Sequence, residues 1–312
     1  MQEPTYISLN GKVVSWGEGR VHLWTDTAQR GMNVFDALRA FYDPERNIFR
    51  ILCFDEHCRR LLRSSAALGF PDVVDVVGLR EALSDLICAL RLQEHLYIRP
   101  TIFIEKGGYE RNPANIRAGY YIVVVPIESS LDKIRTISAA ISRYRKVPCS
   151  SFPASIKTGA MYGLTRLARL DAEVQGADEA LLLNENGHIT ETPGANIFIV
   201  SGGILHTPPL SDGILDGITR SNIISLARQH SLLEVREESI TVDHAHAASE
   251  AFVCGTLAQI TGLSRIDGHL MNSVAGPMSA ELSKLYRAIC QGEEGMEHPW
   301  ISLLDPSAGH FI

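Results

Sequence analysis

Apolar positions along the chain change period repeatedly, and each change marks an element. "YISLNGKVVSW" alternates apolar and polar residues on both sides of Asn-Gly, which predicts a hairpin. "DALRAFYDPERNIFRI" repeats that form around Asp-Pro and predicts two more strands. The period then becomes helical. In "DEHCRRLLRSSAALGF", Leu61, Leu62 and Leu68 recur at helix spacing, Asp55 is the expected N-cap, and Gly69 with Pro71 stop the helix. "VGLREALSDLICALRL" predicts a second helix. "HLYIRPTIFIE" and "AGYYIVVVP" predict strands joined by the polar loop "KGGYERNPANIR". "PIESSLDK" has a proline, two serines and no apolar period, so a linker is expected there.

Beyond that point "IRTISAAIS" reads as a strand. "MYGLTRLARLDAEVQG" reads as a helix with Leu164, Leu167, Leu170 and Val174 on one face. "EALLLNENGHITETPGANIFIVSGGILHT" is a run of strands broken by turns, followed by a helix in "GITRSNIISLARQH" and a strand in "LLEVREESIT". "HAHAASEAFVCGT" is a helix, with Asp243 just ahead of it as the expected N-cap, leading into a strand. Hairpins mixed with helices predict an α+β fold rather than a doubly wound sheet. The expected division is residues 1–126, a linker over 127–133, and a second domain over 134–312.

Composition narrows the function classes. With 45% hydrophobic and 21% charged residues, the 312-residue chain can bury a sizeable core. A net charge of -7 opposes general nucleic-acid binding, which needs a basic field over the phosphates. The longest apolar runs are too short to span a bilayer, and the N-terminus lacks a basic-then-apolar signal segment. Six cysteines without a C-x-x-C pair suit reduced thiols, so a soluble cytoplasmic protein is expected.

The candidate chemistry starts at "SIKTGAMYG", which holds Lys157 and, five positions on, Tyr162. A lysine ahead of a helix is opposed by the macrodipole, and that favours the neutral amine able to form a Schiff base. Glu191, in "ITETPGANIF", is either a solvated turn carboxylate or a buried one that needs a cation. "LDGITR" brings Gly217, Ile218 and Thr219 to a helix start, and "CGTLAQI" brings Gly255 and Thr256 to a strand end. Both could cradle a phosphate, and both could be ordinary turns. His244 and His246 stand two apart and point away from each other on a helix, so no metal site is expected. Together with an arginine in "EHCRRL", the remaining set is what pyridoxal 5'-phosphate (PLP) requires: an amine, a carboxylate for the ring nitrogen, and phosphate donors.

In order and spacing, "GMNVFDALRAF", "FDEHCRRLLRSS", "LYIRPTIF", "IKTGAMYG", "GADEALLLNENGHITETPGANIF", "TPPLSDGILDGITR" and "CGTLAQI" resemble the class IV, fold-type IV PLP-dependent aminotransferases, most of all those for branched-chain amino acids. The resemblance implies a smaller N-terminal α/β domain, a larger C-terminal domain, PLP between them, and at least a homodimer. It implies a ping-pong exchange of an amino group between an amino acid and a 2-oxo acid. By position, Lys157 is similar to the Schiff-base lysine, which also moves the substrate α-proton. Tyr162 matches the ring-oxygen partner, Glu191 the ring-nitrogen partner and Leu215 the residue packed on the ring. Arg60, Ile218, Thr219 and Thr256 match the phosphate ligands. Phe35, Tyr97, Arg99 and Leu257 fall where the family shapes its substrate pocket.

Two departures stand out. Arg30 replaces a tyrosine usual in branched-chain enzymes, and Asp36 replaces a glutamate. If Arg30 reaches the pocket, the expected substrate carries a second acidic group or binds its carboxylate through Arg30. Arg111, Arg117, Arg143 and Arg145 are expected to be solvated or paired with Glu105 and Glu110. The same fold hosts D-amino acid and (R)-amine transaminases and 4-amino-4-deoxychorismate lyases, and Lys157 with Glu191 does not separate these. The Lys157–Tyr162 spacing and "YIRP" favour the branched-chain type, and a scaffold without chemistry is disfavoured because both residues are present.

Overall fold

A computed structural model describes residues 3–107, 113–128, 134–273, 276–293 and 298–312. Residues 129–133 of the expected linker, and Glu110 and Arg111 of the polar loop, lie outside the described residues. The chain forms two compact units. The first comprises Met1–Ser129, Ile156–Ala160 and Ala288–Ile312, and the second Ser130–Ser155 and Met161–Arg287. This differs from the expected division in two places: a short central segment and the C-terminal tail belong to the first unit.

The first unit opens with β1 (Tyr6–Leu9) and β2 (Lys12–Ser15), then α1 (Asp26–Arg30), β3 (Asn33–Phe35), β4 (Leu38–Asp43) and β5 (Ile48–Leu52). Next come α2 (Phe54–Ala67), α3 (Val76–Leu90), β6 (Leu96–Lys106) and β7 (Arg117–Pro126). Asn10 and Gly11 both take positive φ, the twist a two-residue hairpin needs. Asp55 does not cap α2 as expected. Cys53, in the left-handed region, is the N-cap, and Asp55 sits inside the first turn, where it pairs with Arg59 and Arg80. A carboxylate there still favours the positive helix end.

The second unit contains β8 (Arg135–Arg145), α4 (Tyr162–Val174), β9 (Glu179–Leu183), β10 (Asn196–Ser201) and β11 (Ile204–Thr207). It continues through α5 (Ile218–Gln229), β12 (Glu234–Glu237), α6 (Val242–His246), β13 (Glu250–Gly255), β14 (Gln259–Ile266), β15 (His269–Leu270) and most of α7 (Pro277–Gln291). Its sheet runs β12-β11-β10-β13-β14-β8-β9, with β15 on β14. The pairs β11–β12, β14–β8 and β8–β9 are parallel. Leu181, Ile197, Ile199, Val253 and Leu263 fill the core behind this sheet.

The tail then supplies β16 (Ile301–Asp305) and β17 (His310–Phe311). β16 pairs antiparallel with β5, so the first sheet runs β17-β16-β5-β4-β6-β7-β1-β2, with β3 on β6.

Two helices of the second unit depart from expectation. The leucine face of α4 is not its buried face: Leu167 is 45% exposed, Leu170 44% and Val174 81%. Ala168 and Ala172 pack instead on Ala140, Ala180 and Leu182, because small side chains let the helix lie close to the sheet. In α6 the cap is Thr241, whose side chain accepts from the His244 N–H, and Asp243 sits in the first turn. His244 meets His206 edge-on while His246 stacks on His269, so the two rings serve different neighbours. No cluster among the described residues has metal-binding geometry, and no described helix is long and apolar enough to cross a membrane. All six cysteines are free thiols.

A buried ion network ties α2 to Asp36, the residue that follows β3. His57 and Arg60, three apart, share one face of α2. The fully buried Asp36 accepts from Arg60 Nε at 2.8 Å on Oδ2, and from Arg60 Nη2 at 2.8 Å on Oδ1. His57 Nδ1 lies 2.7 Å from Oδ1, and the Ala37 N–H donates to the same oxygen. Burial alone would raise the Asp36 pKa, but the Arg60 charge and the hydrogen bonds from Arg60 and His57 outweigh it and hold the carboxyl well below the usual range. Desolvation lowers the pKa of His57, so its neutral ring donates through Nδ1. Asp36→Asn strands the Arg60 charge and is expected to cost about 3–5 kcal/mol of stability, read from unfolding midpoints. Because the folded pKa is depressed, the wild-type advantage is full above about pH 4 and shrinks as pH falls further.

Candidate active site

In the first unit, Lys157 lies outside any helix. The segment Ile156–Ala160 runs beside β3, with Val34 and Thr158 forming an antiparallel bridge. The Phe35 N–H donates to the Lys157 carbonyl at 3.2 Å, and the Lys157 N–H donates to Ser64 Oγ at 3.2 Å. Thr158 Oγ1 donates to the Asn33 carbonyl at 2.6 Å. The lysine is therefore held by β3 and α2. It precedes α4 by five residues, with a 3-10 turn over Gly159–Met161 between them.

Its side chain lies over the ring of Phe35, an expected pocket residue of the same unit. Lys157 Nζ is 5.3 Å from the centre of the Phe35 ring, and the Arg99 guanidinium carbon is 3.7 Å from it. Both fall within cation–π range. Tyr97 is buried with Ala37 and Val125, and desolvation raises its hydroxyl pKa. Arg60 is fixed by Asp36 as described above. Arg30 ends α1 half-exposed and pairs with Asp26 one turn back.

In the second unit, Glu191 is buried and forms a bridge with Asn196. Its Oε2 accepts from Asn196 Nδ2 at 3.0 Å and from the Leu215 N–H at 3.1 Å. Its Oε1 pairs with the Lys146 ammonium. The Leu215 N–H also lies within 3.3 Å of Oε1, so three donor N–H groups serve the carboxylate's roughly four acceptor sites and leave capacity for one more. Asn196 Nδ2 also donates to the Leu215 carbonyl at 3.1 Å, which fixes the loop carrying Leu215.

That loop enters α5 at Gly217, and no side chain caps the helix, so the first-turn N–H groups of Ile218 and Thr219 are available to an anion. A Cβ at Gly217 would lie 1.9 Å from Asn196 Oδ1, so the close approach requires glycine. Thr219 is buried, Leu215, Ile218 and Thr256 are half-buried, and Tyr162 and Leu257 are exposed in this unit. The donor set fits PLP: an open helix N-terminus for its phosphate, a carboxylate with spare acceptor capacity for its ring nitrogen, and a lysine amine.

Lys146, Asn196, Asp36, His57 and Ser64 are polar partners to which the sequence reading assigned no role in holding these groups. A signal existed for His57, three residues ahead of Arg60 on the helix. None existed for Lys146, one cation among several in "ISRYRKVP". Of the arginines counted there and in the loop before it, Arg117 pairs with Glu105, Arg143 with Asp171, and Arg145 donates to the Asn184 carbonyl.

The family model for amino-transferase class IV matches residues 33–266. The chain is 31% identical to the branched-chain-amino-acid aminotransferase of Escherichia coli (strain K12), over 95% of this chain and 96% of that one. A branched-chain aminotransferase from Thermoproteus uzoniensis, solved with norvaline, superposes with a TM-score of 0.89 at 34% identity, covering 95% of this chain and 98% of its own. The PLP-bound holo form of the Thermobaculum terrenum branched-chain amino acid aminotransferase gives 0.91 at 30% identity, covering 97% and 99%. The buried carboxylate, the uncapped helix start and the anchored lysine stand in a chain matched along nearly its whole length, and the chain belongs to the class IV aminotransferases, as a PLP-dependent transaminase of fold type IV.

Proposed function

We propose that Lys157 is the catalytic amine and that Arg60, Tyr162, Glu191, Leu215, Ile218, Thr219 and Thr256 hold the cofactor. The observation that carries this reading is Glu191: a buried carboxylate that three donors orient without filling. When bound, PLP supplies the electron sink that acidifies the substrate α-carbon. Glu191 keeps a proton on the ring nitrogen, and Tyr162 donates to the ring oxygen. The N–H groups opening α5, with the Thr219 and Thr256 hydroxyls and Arg60, neutralise the phosphate. Lys157 Nζ anchors the cofactor and carries the proton between the substrate α-carbon and cofactor C4′.

The amino donor proposed is an aliphatic L-amino acid of the branched-chain type, with a 2-oxo acid as acceptor. Phe35 and Tyr97 offer an apolar surface, and the Arg99 guanidinium beside them suits the single α-carboxylate. Leu257 is proposed as a further apolar contact for the substrate. Arg30 already faces the Asp26 carboxylate, which speaks for the aliphatic donor over one carrying a second acidic group.

The protein is also proposed to act as a homodimer or larger homo-oligomer. Leu23 and Trp24 in the first unit are 80% and 81% exposed, and Leu167, Leu170 and Val174 form an uncovered apolar face on α4 in the second. Exposed apolar patches mark sites of protein association where they are contiguous. The cytoplasm is the proposed location, since free thiols persist in a reducing compartment.

Lys157→Ala is expected to lower transamination by at least about a thousandfold, measured in single turnover, with PLP still bound. A panel of donors of both hands with 2-oxoglutarate and pyruvate is expected to favour L-leucine, L-valine and norvaline. Pyruvate release without any 2-oxo acid acceptor would instead indicate the lyase chemistry. Arg30→Tyr is expected to leave kcat/KM for leucine and valine within about threefold. A loss restricted to donors with a second carboxylate would restore the acidic-substrate reading. In sedimentation runs, Leu170→Glu combined with Val174→Glu is expected to shift the protein toward monomer.

A further inference from the structure

Lys146 is the residue that the proposed chemistry leaves unexplained. Its backbone is fixed, since its N–H donates to the Leu183 carbonyl at 2.9 Å where β8 and β9 end. Its stem runs past Gly213, whose Cβ position would lie 3.9 Å from Lys146 Cγ, on the loop that leads to Leu215. Its ammonium lies on Glu191 Oε1, and both side chains are largely buried, at 19% and 7% exposure. Among the described residues it is the one cation paired with Glu191. A surface ion pair contributes little, but a charge held this close to a buried carboxylate stays in the local field, where screening by salt is weak.

We propose that Lys146 is a positioning residue that shares the Glu191 carboxylate with the cofactor ring nitrogen and thereby sets how strongly that nitrogen is held protonated. The inference rests on Glu191 being the ring-nitrogen partner. Two effects follow from the geometry. With Oε1 engaged by Lys146, Oε2 by Asn196 and the Leu215 N–H shared between them, the carboxylate plane is fixed. The ammonium also places a positive charge beside the proton that Glu191 would stabilise, opposing that proton electrostatically. A neutral side chain at 146 relieves this opposition.

Of the other charged or titratable groups on the neighbouring elements, Asp212 on the loop before Leu215 is half-buried, with an Oδ2 that has no hydrogen-bond partner among the described residues. Arg145 donates to the Asn184 carbonyl, and Arg220 at the start of α5 binds Glu237 and the Pro208 carbonyl. Asp216 and Cys149 are exposed. Lys146 is therefore the charge whose removal alters the Glu191 environment without disturbing a second ion pair.

The test is a pH titration of the cofactor's ring nitrogen, followed by 15N NMR in holoenzyme carrying 15N-labelled PLP, for wild type, Lys146→Met, Lys146→Arg and Glu191→Gln, with the PLP dissociation constant measured alongside. Lys146→Met is expected to raise the midpoint by about one pH unit, the size one nearby charge produces. Lys146→Arg, which keeps the charge, is expected to leave the midpoint at the wild-type value. An unchanged or lowered midpoint in Lys146→Met would overturn the proposal. So would loss of PLP binding in Lys146→Met, which would make Lys146 a structural support. Glu191→Gln separates the two levels of the argument. A wild-type midpoint there removes Glu191 from the ring nitrogen and the inference with it. A shifted midpoint there, with none in Lys146→Met, removes only the role of Lys146.

Discussion

A carboxylate taken out of water must be answered by donors, and this chain holds two that are answered differently. Removing a charge from solvent without compensation costs several kcal/mol, so neither Asp36 nor Glu191 could be buried without its partners. Asp36 is saturated. Its oxygens meet Arg60 twice, His57 and the Ala37 N–H, so it acts as a fixed anion that orients the Arg60 guanidinium. Glu191 is oriented but retains acceptor capacity. One carboxylate builds structure around an arginine, and the other is held with an acceptor site to spare. The departure at position 36 takes on meaning in this light: the aspartate is committed to α2 by three contacts at 2.7–2.8 Å.

The same logic explains where Lys157 sits. A catalytic amine gains from a backbone that cannot drift, because misplacement of about 1 Å can cost about a hundredfold in rate. Ile156–Ala160 is too short to be an element, yet both backbone groups of Lys157 are bonded, one to β3 and one to a serine of α2. α2 thus serves twice in the first unit, holding the arginine through Asp36 and the lysine through Ser64.

Much of this was legible in the sequence where information is local. The Asn-Gly hairpin, the helical periods of α2 and α3, and the glycine opening α5 announce themselves within a few residues. Caps were read less well. Asp55 and Asp243 looked like N-caps, but Cys53 in the left-handed region and Thr241 start those helices. Both acids instead lie in the first turn, where composition alone cannot separate them from a cap. The α4 leucines illustrate a different loss. Periodicity showed one apolar face, but alanines pack on the sheet because closeness outweighs side-chain size there. The tail was opaque because β16 gains its meaning only from β5, a partner far away in sequence. Lys146 was hidden for the same reason, since its role exists only once Glu191 is beside it.

Asn196 links the two chemical ends of the second unit's site. One Nδ2 group donates both to Glu191 Oε2 and to the Leu215 carbonyl, so a single amide fixes the carboxylate and the start of the loop. Its other atom, Oδ1, occupies the space beside Gly217, where any side chain would collide. Glycine at 217 is therefore required by approach distance, since its φ of -76° is one that any residue adopts. The consequence is mechanical. The donors opening α5 and the acceptor on Glu191 cannot shift independently, because the same asparagine holds both. A ligand carrying an anion at one end and a ring nitrogen at the other would meet a spacing already set by the fold. That is preorganisation in its simplest physical form, with the ordering cost met on folding rather than on binding.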